Sequence, residues 1–163
     1  MNTSRTAPPI IRAATPADTP AMGRLGALLV HTHHELDAKR FMAPSSETER
    51  GYASFLGSQL GRTSVILLVA ELDDEVIAYS YSEIQGLDYM SLRGPAGVLH
   101  DIVVDGQHRG RGVGQRLLDA TLAAMTARGV PQIVLSAATR NEPARRLFAR
   151  AGFRETMVEM TRG

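Results

Sequence analysis

The residues with the clearest chemical potential form a glycine-rich segment, Gln107-His108-Arg109-Gly110-Arg111-Gly112-Val113-Gly114. An apolar, β-prone stretch precedes this segment, and a pattern typical of an amphipathic helix follows it. Glycines leave backbone N–H groups unshielded, and the N-terminus of a helix adds unpaired donors and the positive end of its dipole. A strand, a glycine turn and a helix N-terminus therefore predict a cradle for an anion, to which the two arginines would add positive charge.

The spacing separates this cradle from two other phosphate-binding loops. A P-loop needs G-x-x-x-x-G-K-[ST], and no lysine follows here. A dinucleotide-binding loop needs G-x-G-x-x-G and an acidic residue about 20 positions further on. Gly110, Gly112 and Gly114 instead give G-x-G-x-G, with no acid near position 132. A glycine-rich connection without a ligand is the alternative interpretation.

The distribution of charge supports an anionic ligand. The net charge is only +1, which argues against a nucleic-acid binder. Residues 109–154, however, hold nine arginines and two acids, a local charge of +7, and the remainder carries −6. The only lysine is Lys39. A local excess of this kind favours a small anionic ligand over a polyanionic polymer.

Composition narrows the class of protein further. The chain has no cysteine, which excludes disulfides and thiolate chemistry and is compatible with a reducing cytoplasm. Its longest apolar run, residues 65–70, is far shorter than the ~20 residues that span a membrane. The first nine residues lack the apolar centre of a secretory signal. We therefore expect a cytoplasmic protein with no membrane or nucleic-acid partner.

The elements that must position the cradle form one domain. We expect a flexible tail over residues 1–9 and a single domain over residues 10–163. Apolar periodicity predicts the order β-α-α-β-β-β-α-β-α-β, an α/β (α+β) architecture with a mixed sheet and helices on both faces. The expected strands are residues 10–13, 65–70, 76–84, 98–104, 132–136 and 153–161. Residues 31–44 are expected to be irregular.

Two motifs resemble one known family. Gln107-x-x-Gly110-x-Gly112 is similar to the [QR]-x-x-G-x-[GA] pyrophosphate signature of the GNAT family of N-acetyltransferases. The segment from Asn141 to Phe153, NEPARRLFARAGF, resembles that family's N-x-x-A-x-x-[LF]-[YF]-x-x-x-G-F motif. The two motifs stand in the family's order, about 30 residues apart. The resemblance implies a mostly antiparallel sheet that splays between strands 4 and 5, with acetyl-CoA as the donor in the gap and no metal.

The resemblance also implies where acetyl-CoA would be held. Strand backbone would bind the pantetheine arm and the acetyl carbonyl, and backbone N–H groups of the glycine segment would bind the pyrophosphate. Asn141 would contact the pantetheine or a nearby water, although asparagine is equally a preferred helix N-cap. Arg145 would reach the nucleotide or simply be solvated. The implied set is Ile102, Val103, Val104, Gln107, His108, Arg109, Gly110, Arg111, Gly112, Val113, Gly114, Asn141, Arg145 and Phe148.

The implied chemistry is direct transfer to the primary amine of a small molecule, peptide or protein. An alkyl ammonium has a pKa of about 10, so a base must remove a proton. His100 is the first candidate, and strand parity would place it on one face with Val98 and Ile102. Asp101 would lie on the opposite face, and Glu83 is the third candidate. A histidine that is only buried or hydrogen-bonded is the alternative.

One residue departs from the family pattern. Phe148 stands where many members carry the tyrosine that reprotonates the CoA thiolate. Water or another tyrosine (Tyr79, Tyr81 or Tyr89) would supply that proton, or none is needed, since a thiol of pKa ~8.5 is a tolerable leaving group. The departure also motivates a rival prediction, a non-catalytic acyl-CoA-binding or regulatory module.

The acceptor side is less defined. The resemblance implies that residues 31–42 and 86–94 line the acceptor pocket. Many members of the family form homodimers, and the sequence leaves the choice between monomer and homodimer open. The acids Glu35, Asp37, Glu83 and Asp88 would favour a cationic amine. His31, His33 and His34 suggest a metal site or, alternatively, a solvated helix end.

Overall fold

The structure is a computed structural model that describes residues 7–163. Residues 1–6 of the expected tail lie outside the described residues. The elements are β1 (Ile10–Ala13), α1 (Thr19–Leu36), α2 (Thr48–Gln59), β2 (Val65–Leu72), β3 (Glu75–Gln85), β4 (Ala96–Val104), α3 (Val113–Ala127), β5 (Ile133–Leu135) and α4 (Glu142–Arg150). Short 3₁₀ turns at Pro16–Asp18 and Gly106–His108 precede α1 and α3.

The five strands form one mixed sheet in the order β1-β2-β3-β4-β5. The first three pairs are antiparallel, and β4 and β5 are parallel. The β2–β3 hairpin turns on Asp73 and Asp74, which have φ angles of 51° and 61°. Two successive positive φ angles are the requirement of the turn whose twist matches a hairpin, and aspartate tolerates them. The predicted mixed, mostly antiparallel sheet is confirmed.

The sheet splits between β4 and β5. The two strands pair only over three residues, Gly97 to Leu99 of β4 with Ile133 to Leu135 of β5. β4 then continues to Val104, paired with β3 alone. The part of β4 after Leu99 therefore has backbone groups that face a gap instead of a neighbouring strand.

Helices cover both faces of the sheet. The α1–α2 face buries Met22, Leu25 and Leu56 against Leu67, Val69, Tyr79, Tyr81 and Val103. The α3 face buries Leu117, Leu118 and Met125 against Ile66, Ala70, Ile77 and Leu99. Side chains of α4 pack onto the α3 face, with Phe148 buried there. The predicted two-faced architecture is confirmed.

Close packing of α1 on α2 positions one aromatic ring over the sheet. A Cβ added at Gly26 of α1 would lie 2.1 Å from the Tyr52 ring of α2. Real carbon atoms do not approach that closely, so glycine at this position is what allows Tyr52 to fit between α1 and the sheet. Tyr52 is consequently held near β4, where the site described below is found.

Two sequence expectations are wrong. Residues 153–161 form no strand, and the exposed fractions of Met157, Val158 and Met160 are 79%, 79% and 87%. An alternating pattern makes a strand only where a sheet edge pairs with it. Residues 31–36, expected to be irregular, belong to α1, whose last turn is closed by the Asp37 backbone N–H donating to the His33 carbonyl at 3.0 Å. Within residues 7–163, no helix has the length and apolarity to cross a membrane.

Candidate functional site

The glycine cradle lies where the sequence placed it, between β4 and α3. Gly110 and Gly112 have φ angles of 73° and 78°, in the left-handed region that favours glycine. A Cβ at either residue would meet no atom within 4 Å, so the surface beside both is open. Gly112 is the N-cap of α3, whose first backbone N–H groups therefore face that opening. The arrangement can hold an anion such as a pyrophosphate.

Side chains of Asp105 and Arg109 hold the backbone that leads from β4 into this cradle. The Asp105 carboxylate accepts from the Gln107 backbone N–H at 3.1 Å, and Arg109 Nε donates to the Val104 carbonyl at 3.1 Å. These contacts fix the chain at the end of β4. Arg109 is thus engaged by the backbone through one of its guanidinium nitrogens.

A cavity of about 280 Å³ occupies the gap between β4 and β5. It begins where the pairing of the two strands ends, and it runs from α4 across β4 to α1. Its walls are Leu29, Val30, His33, Phe41, Met42, Tyr52, Leu99, His100, Asp101, Ile102, Leu135, Ser136, Ala137, Asn141, Ala144 and Phe148. The cavity is mostly apolar, with a few polar groups at defined points, as in sites for small organic ligands.

A second cavity of about 310 Å³ adjoins the first. Its walls are Tyr52, Phe55, Tyr81, Glu83, His100 and Asp101. The two cavities share three of these side chains, Tyr52, His100 and Asp101. Ligands that entered from the two sides would therefore meet beside His100 and Asp101.

A β-bulge explains why these two neighbours line the same cavities. Tyr81 of β3 pairs with Asp101 and Ser82 pairs with Leu99, so His100 is an extra residue without a partner in the ladder. Strand parity predicted that His100 shares a face with Ile102 and that Asp101 lies opposite, and this is wrong. The His100 ring instead stacks on Tyr81, with centroids 5.1 Å apart, on the α1–α2 side.

Asp101 is a partly buried carboxylate with a specific donor. The Tyr79 hydroxyl donates to Asp101 Oδ2 at 2.9 Å. Burial raises the pKa of Tyr79, so this hydroxyl keeps its proton and remains a donor. Burial also raises the pKa of Asp101 above its usual range, against the opposing effect of the Tyr79 hydrogen bond. Within residues 7–163 no arginine, lysine or histidine forms an ion pair with Asp101.

His100 and Glu83 form a second polar pair. His100 Nε2 lies 3.7 Å from Glu83 Oε2, and the side chain of His100 is 35% exposed. The other carboxylate oxygen of Glu83 accepts from Arg62 at 3.3 Å. The structure thus brings the three candidate bases to one cavity, with His100 and Glu83 nearest the solvent.

The second motif contributes an N-cap and a wall of the first cavity. The Asn141 side chain accepts from the Ala144 backbone N–H at 3.3 Å, so the predicted cap is present. Asn141 also lines the first cavity. Its contact with the pantetheine arm or a nearby water stays a prediction. Arg145 is ion-paired with Glu155 and donates to the Thr139 carbonyl at 3.1 Å.

Several arginines of the basic segment bind backbone instead of facing the cradle. Arg116, Arg128 and Arg140 donate to the carbonyls of Pro9, Thr63 and Leu36, respectively. These contacts tie the segment to distant parts of the chain. The local excess of positive charge is therefore partly structural, and Arg109 and Arg111 are the members within the cradle loop itself.

The histidine cluster and the β3–β4 loop behave differently from the sequence expectation. Only His33 of the three histidines lines a cavity, while His31 lies 3.1 Å from Glu35 and His34 Nδ1 donates to the Phe41 carbonyl at 3.0 Å. Among the described residues, no three His, Asp or Glu side chains come together as a metal site. Residues 86–94 line neither cavity.

Sequence reasoning missed three aromatic contributors, Tyr52, Phe55 and Tyr79. Phe41, by contrast, lies within residues 31–42, which were expected to line a pocket, and it does line the first cavity. Tyr52 and Phe55 belong to no sequence motif, and Tyr79 is predicted only as an alternative proton donor to the thiolate. Their role at the site depends on how α2 packs on β3 and β4. No local motif signals such packing, although the glycines of α1 could have indicated a close helix contact.

Comparisons with known proteins agree with this geometry. The model of the Acetyltransferase (GNAT) family matches residues 30–153. No curated protein matches the chain. A mutant of the BH1408 protein from Bacillus halodurans superposes with a TM-score of 0.82 at 21% identity, covering 94% of this chain and 98% of that chain.

Two further solved structures carry ligands. An aminoglycoside acetyltransferase from an uncultured soil metagenomic sample, in complex with sisomicin, gives a TM-score of 0.65 at 22% identity over 95% of both chains. A predicted acetyltransferase with acetyl-CoA from Clostridium acetobutylicum gives 0.67 at 17% identity, over 94% of this chain and 96% of that one. At these identities the likeness extends to the fold.

Proposed function

The chain belongs to the Acetyltransferase (GNAT) family, and on that premise we propose that it transfers an acetyl group from acetyl-CoA directly to a primary amine. The observation that carries this proposal is the split between β4 and β5. The split leads from the cradle at Gly110 and Gly112 to a cavity that ends beside His100 and Asp101.

The donor side follows from the free part of β4. The chain from Ile102 to Val104 lacks a β5 partner, and Arg109 occupies the Val104 carbonyl. The outward backbone groups of Ile102 and Val103 are therefore the ones available to hydrogen-bond an extended pantetheine arm. The open cradle fits the pyrophosphate, since a side chain at Gly112 would occupy the space beside the α3 N-terminus. When bound, acetyl-CoA supplies the thioester carbonyl that an amine can attack and a thiolate that can leave.

The proton must leave the acceptor on the other side of β4. We assign His100 as the group that takes it, because its ring borders both cavities and is partly exposed to solvent. Glu83, 3.7 Å from His100 Nε2, stabilises the imidazolium that results. Tyr81 stacks on the ring and restricts its orientation.

Phe148 cannot protonate the CoA thiolate when it leaves. Its buried ring lines the donor cavity and packs against Phe153 with centroids 6.0 Å apart. A phenyl ring donates no proton, so this side chain shapes the cavity and the thiolate leaves without an acid from this position. The leaving thiol is acidic enough for that, at about pKa 8.5.

The test measures acetyl-CoA binding and thiol release separately. Calorimetry should show acetyl-CoA binding to the wild-type protein, and a thiol-reactive dye should show CoA release only when a primary amine is added. Tight binding with no release for any amine in a broad panel would instead favour a non-catalytic acyl-CoA-binding module. No binding of acetyl-CoA would remove the proposal altogether.

A further inference from the structure

We infer that the acceptor is a small primary amine without a carboxylate, with its ammonium beside Asp101 and its hydrocarbon arm against the rings of Tyr52, Phe55 and Tyr81. The inference rests on the proposed acetyl transfer and names its substrate class. It follows from three properties of the second cavity: a carboxylate with no ion-pair partner among the described residues, aromatic walls and a small volume.

The carboxylate of Asp101 supplies the recognition of charge. Its one hydrogen-bond donor within the described residues is the Tyr79 hydroxyl, and no basic side chain of residues 7–163 lies within ion-pair distance of it. His33 and His100 border the first cavity together with Asp101 and lower the pKa of Asp101 by their charge without reaching its oxygens. A carboxylate removed from water is unfavourable unless it is paired and hydrogen-bonded. An alkyl ammonium at the junction of the cavities would provide an ion-pair partner with three N–H donors.

The aromatic walls supply the recognition of the arm. Phe55 and Tyr81 meet edge to face with centroids 5.7 Å apart, and Tyr52 closes the cavity towards α1. Aromatic faces attract both a cation and the CH groups next to it. Phe55 has an exposed fraction of 48%, so a ligand would cover an aromatic surface that now contacts solvent.

The same walls exclude amino acids. Asp101 and Glu83 both border the cavity, and the Arg62 contact of Glu83 engages only one of its oxygens. A substrate carboxylate attached next to the amine would lie close to these two carboxylates. Placing like charges together costs several kcal/mol, so the cavity should reject the amino acid that corresponds to each accepted amine.

The size of the cavity favours a small molecule over a peptide. A volume of about 310 Å³ lies at the lower end of the range of ligand pockets. The cavity therefore has room for an amine with an arm about as large as one aromatic ring.

The experiment compares 2-phenylethylamine with phenylalanine, which differ only by the carboxylate. We expect kcat/KM for the amine to exceed that for the amino acid by about 100-fold or more, given the cost of opposing like charges. The amino group of phenylalanine is less basic than that of 2-phenylethylamine, so a larger fraction of it is neutral and able to attack. This difference alone would make phenylalanine the faster substrate, so it cannot produce the expected result. Equal turnover of the two, or faster turnover of a lysine-containing peptide, would overturn the inference while leaving acetyl transfer intact.

Variants test the two recognition elements separately. Asp101→Asn should raise KM for 2-phenylethylamine by about tenfold or more, a much larger change than in the Kd of acetyl-CoA. Phe55→Ala should lower kcat/KM for 2-phenylethylamine severalfold and affect methylamine much less. Tyr89→Ala, which removes an exposed ring outside both cavities, is the matched control. If Asp101→Asn fails to fold, Phe55→Ala still tests the inference. An unchanged preference of this variant for 2-phenylethylamine over methylamine would contradict it.

Discussion

A charge placed at Gly112 tests the cradle directly. Gly112→Asp would place a carboxylate in the open space beside the α3 N-terminus, where the proposed pyrophosphate lies. At a separation of ~5 Å and an effective dielectric of ~20, one pair of like charges costs about 3 kcal/mol. That energy corresponds to roughly a 100-fold rise in the Kd of acetyl-CoA.

Two controls separate charge from backbone strain. Gly112→Asn has the same shape without the charge, so the ratio of its Kd to that of Gly112→Asp isolates electrostatics. Gly129→Asn places the same residue at the other end of α3, where φ is +74° and a Cβ would also meet no atom. Both asparagine variants should lose about 1 kcal/mol of stability or less, since asparagine tolerates this region.

The assay is calorimetric titration of acetyl-CoA at low and high salt. At ~1 M salt the screening length falls to about 3 Å, so the gap between the aspartate and asparagine variants should narrow. Equal Kd values for Gly112→Asp and Gly112→Asn would refute the assignment of the cradle. So would an equal loss of affinity in Gly129→Asn, which would show that binding responds to the stability of α3 alone.

Three further outcomes follow from the contacts of the site and the core. His100→Ala should lower kcat and flatten the acidic limb of the kcat/KM–pH profile, with partial rescue by added imidazole; a limb of unchanged shape would remove His100 as the base. Asn141→Ala should lower the free energy of unfolding by about 1 kcal/mol through loss of the cap and raise the acetyl-CoA Kd severalfold. Asn141→Ser should restore the free energy of unfolding and leave the acetyl-CoA Kd raised. If serine restored the Kd as well, Asn141 would act only as a helix cap. Arg12 lowers the pKa of Asp18 to about 2 from 3.8, so the carboxylate stabilises the fold above about pH 4 and this contribution is lost as pH falls towards 2. Asp18→Asn should therefore cost about 2 kcal/mol in urea unfolding at pH 7 and much less near pH 2.5, and a cost independent of pH would contradict the coupling.

The sequence predicts the elements whose signals are local. The β2–β3 hairpin, the glycine cradle and the N-cap of α4 each depend on a few neighbouring residues, and all three are present. The mixed sheet with helices on both faces follows from the predicted order of the elements, and the splay between strands 4 and 5 follows from the resemblance carried by the two motifs. The central sheet and the helices that cover it could thus be predicted from the sequence.

The parts that sequence reasoning missed depend on pairing between distant segments. The bulge at His100 exists because of the register of β4 on β3, which leaves no signal in either strand alone. The hydrogen bond from Tyr79 to Asp101 follows from the same register. The expected sixth strand is absent for the same kind of reason, since a strand needs a partner as well as an alternating pattern.

The bulge has an evolutionary consequence. Leu99 pairs with Ser82 and Asp101 pairs with Tyr81, so removing His100 would leave a regular ladder in which every other pair keeps its partner. A deletion of one codon could therefore erase the proposed proton acceptor without rearranging the sheet, and an insertion at the same point could create one. The residue assigned to proton removal is in this sense an addition to the fold, which a lineage can gain or lose in a single step.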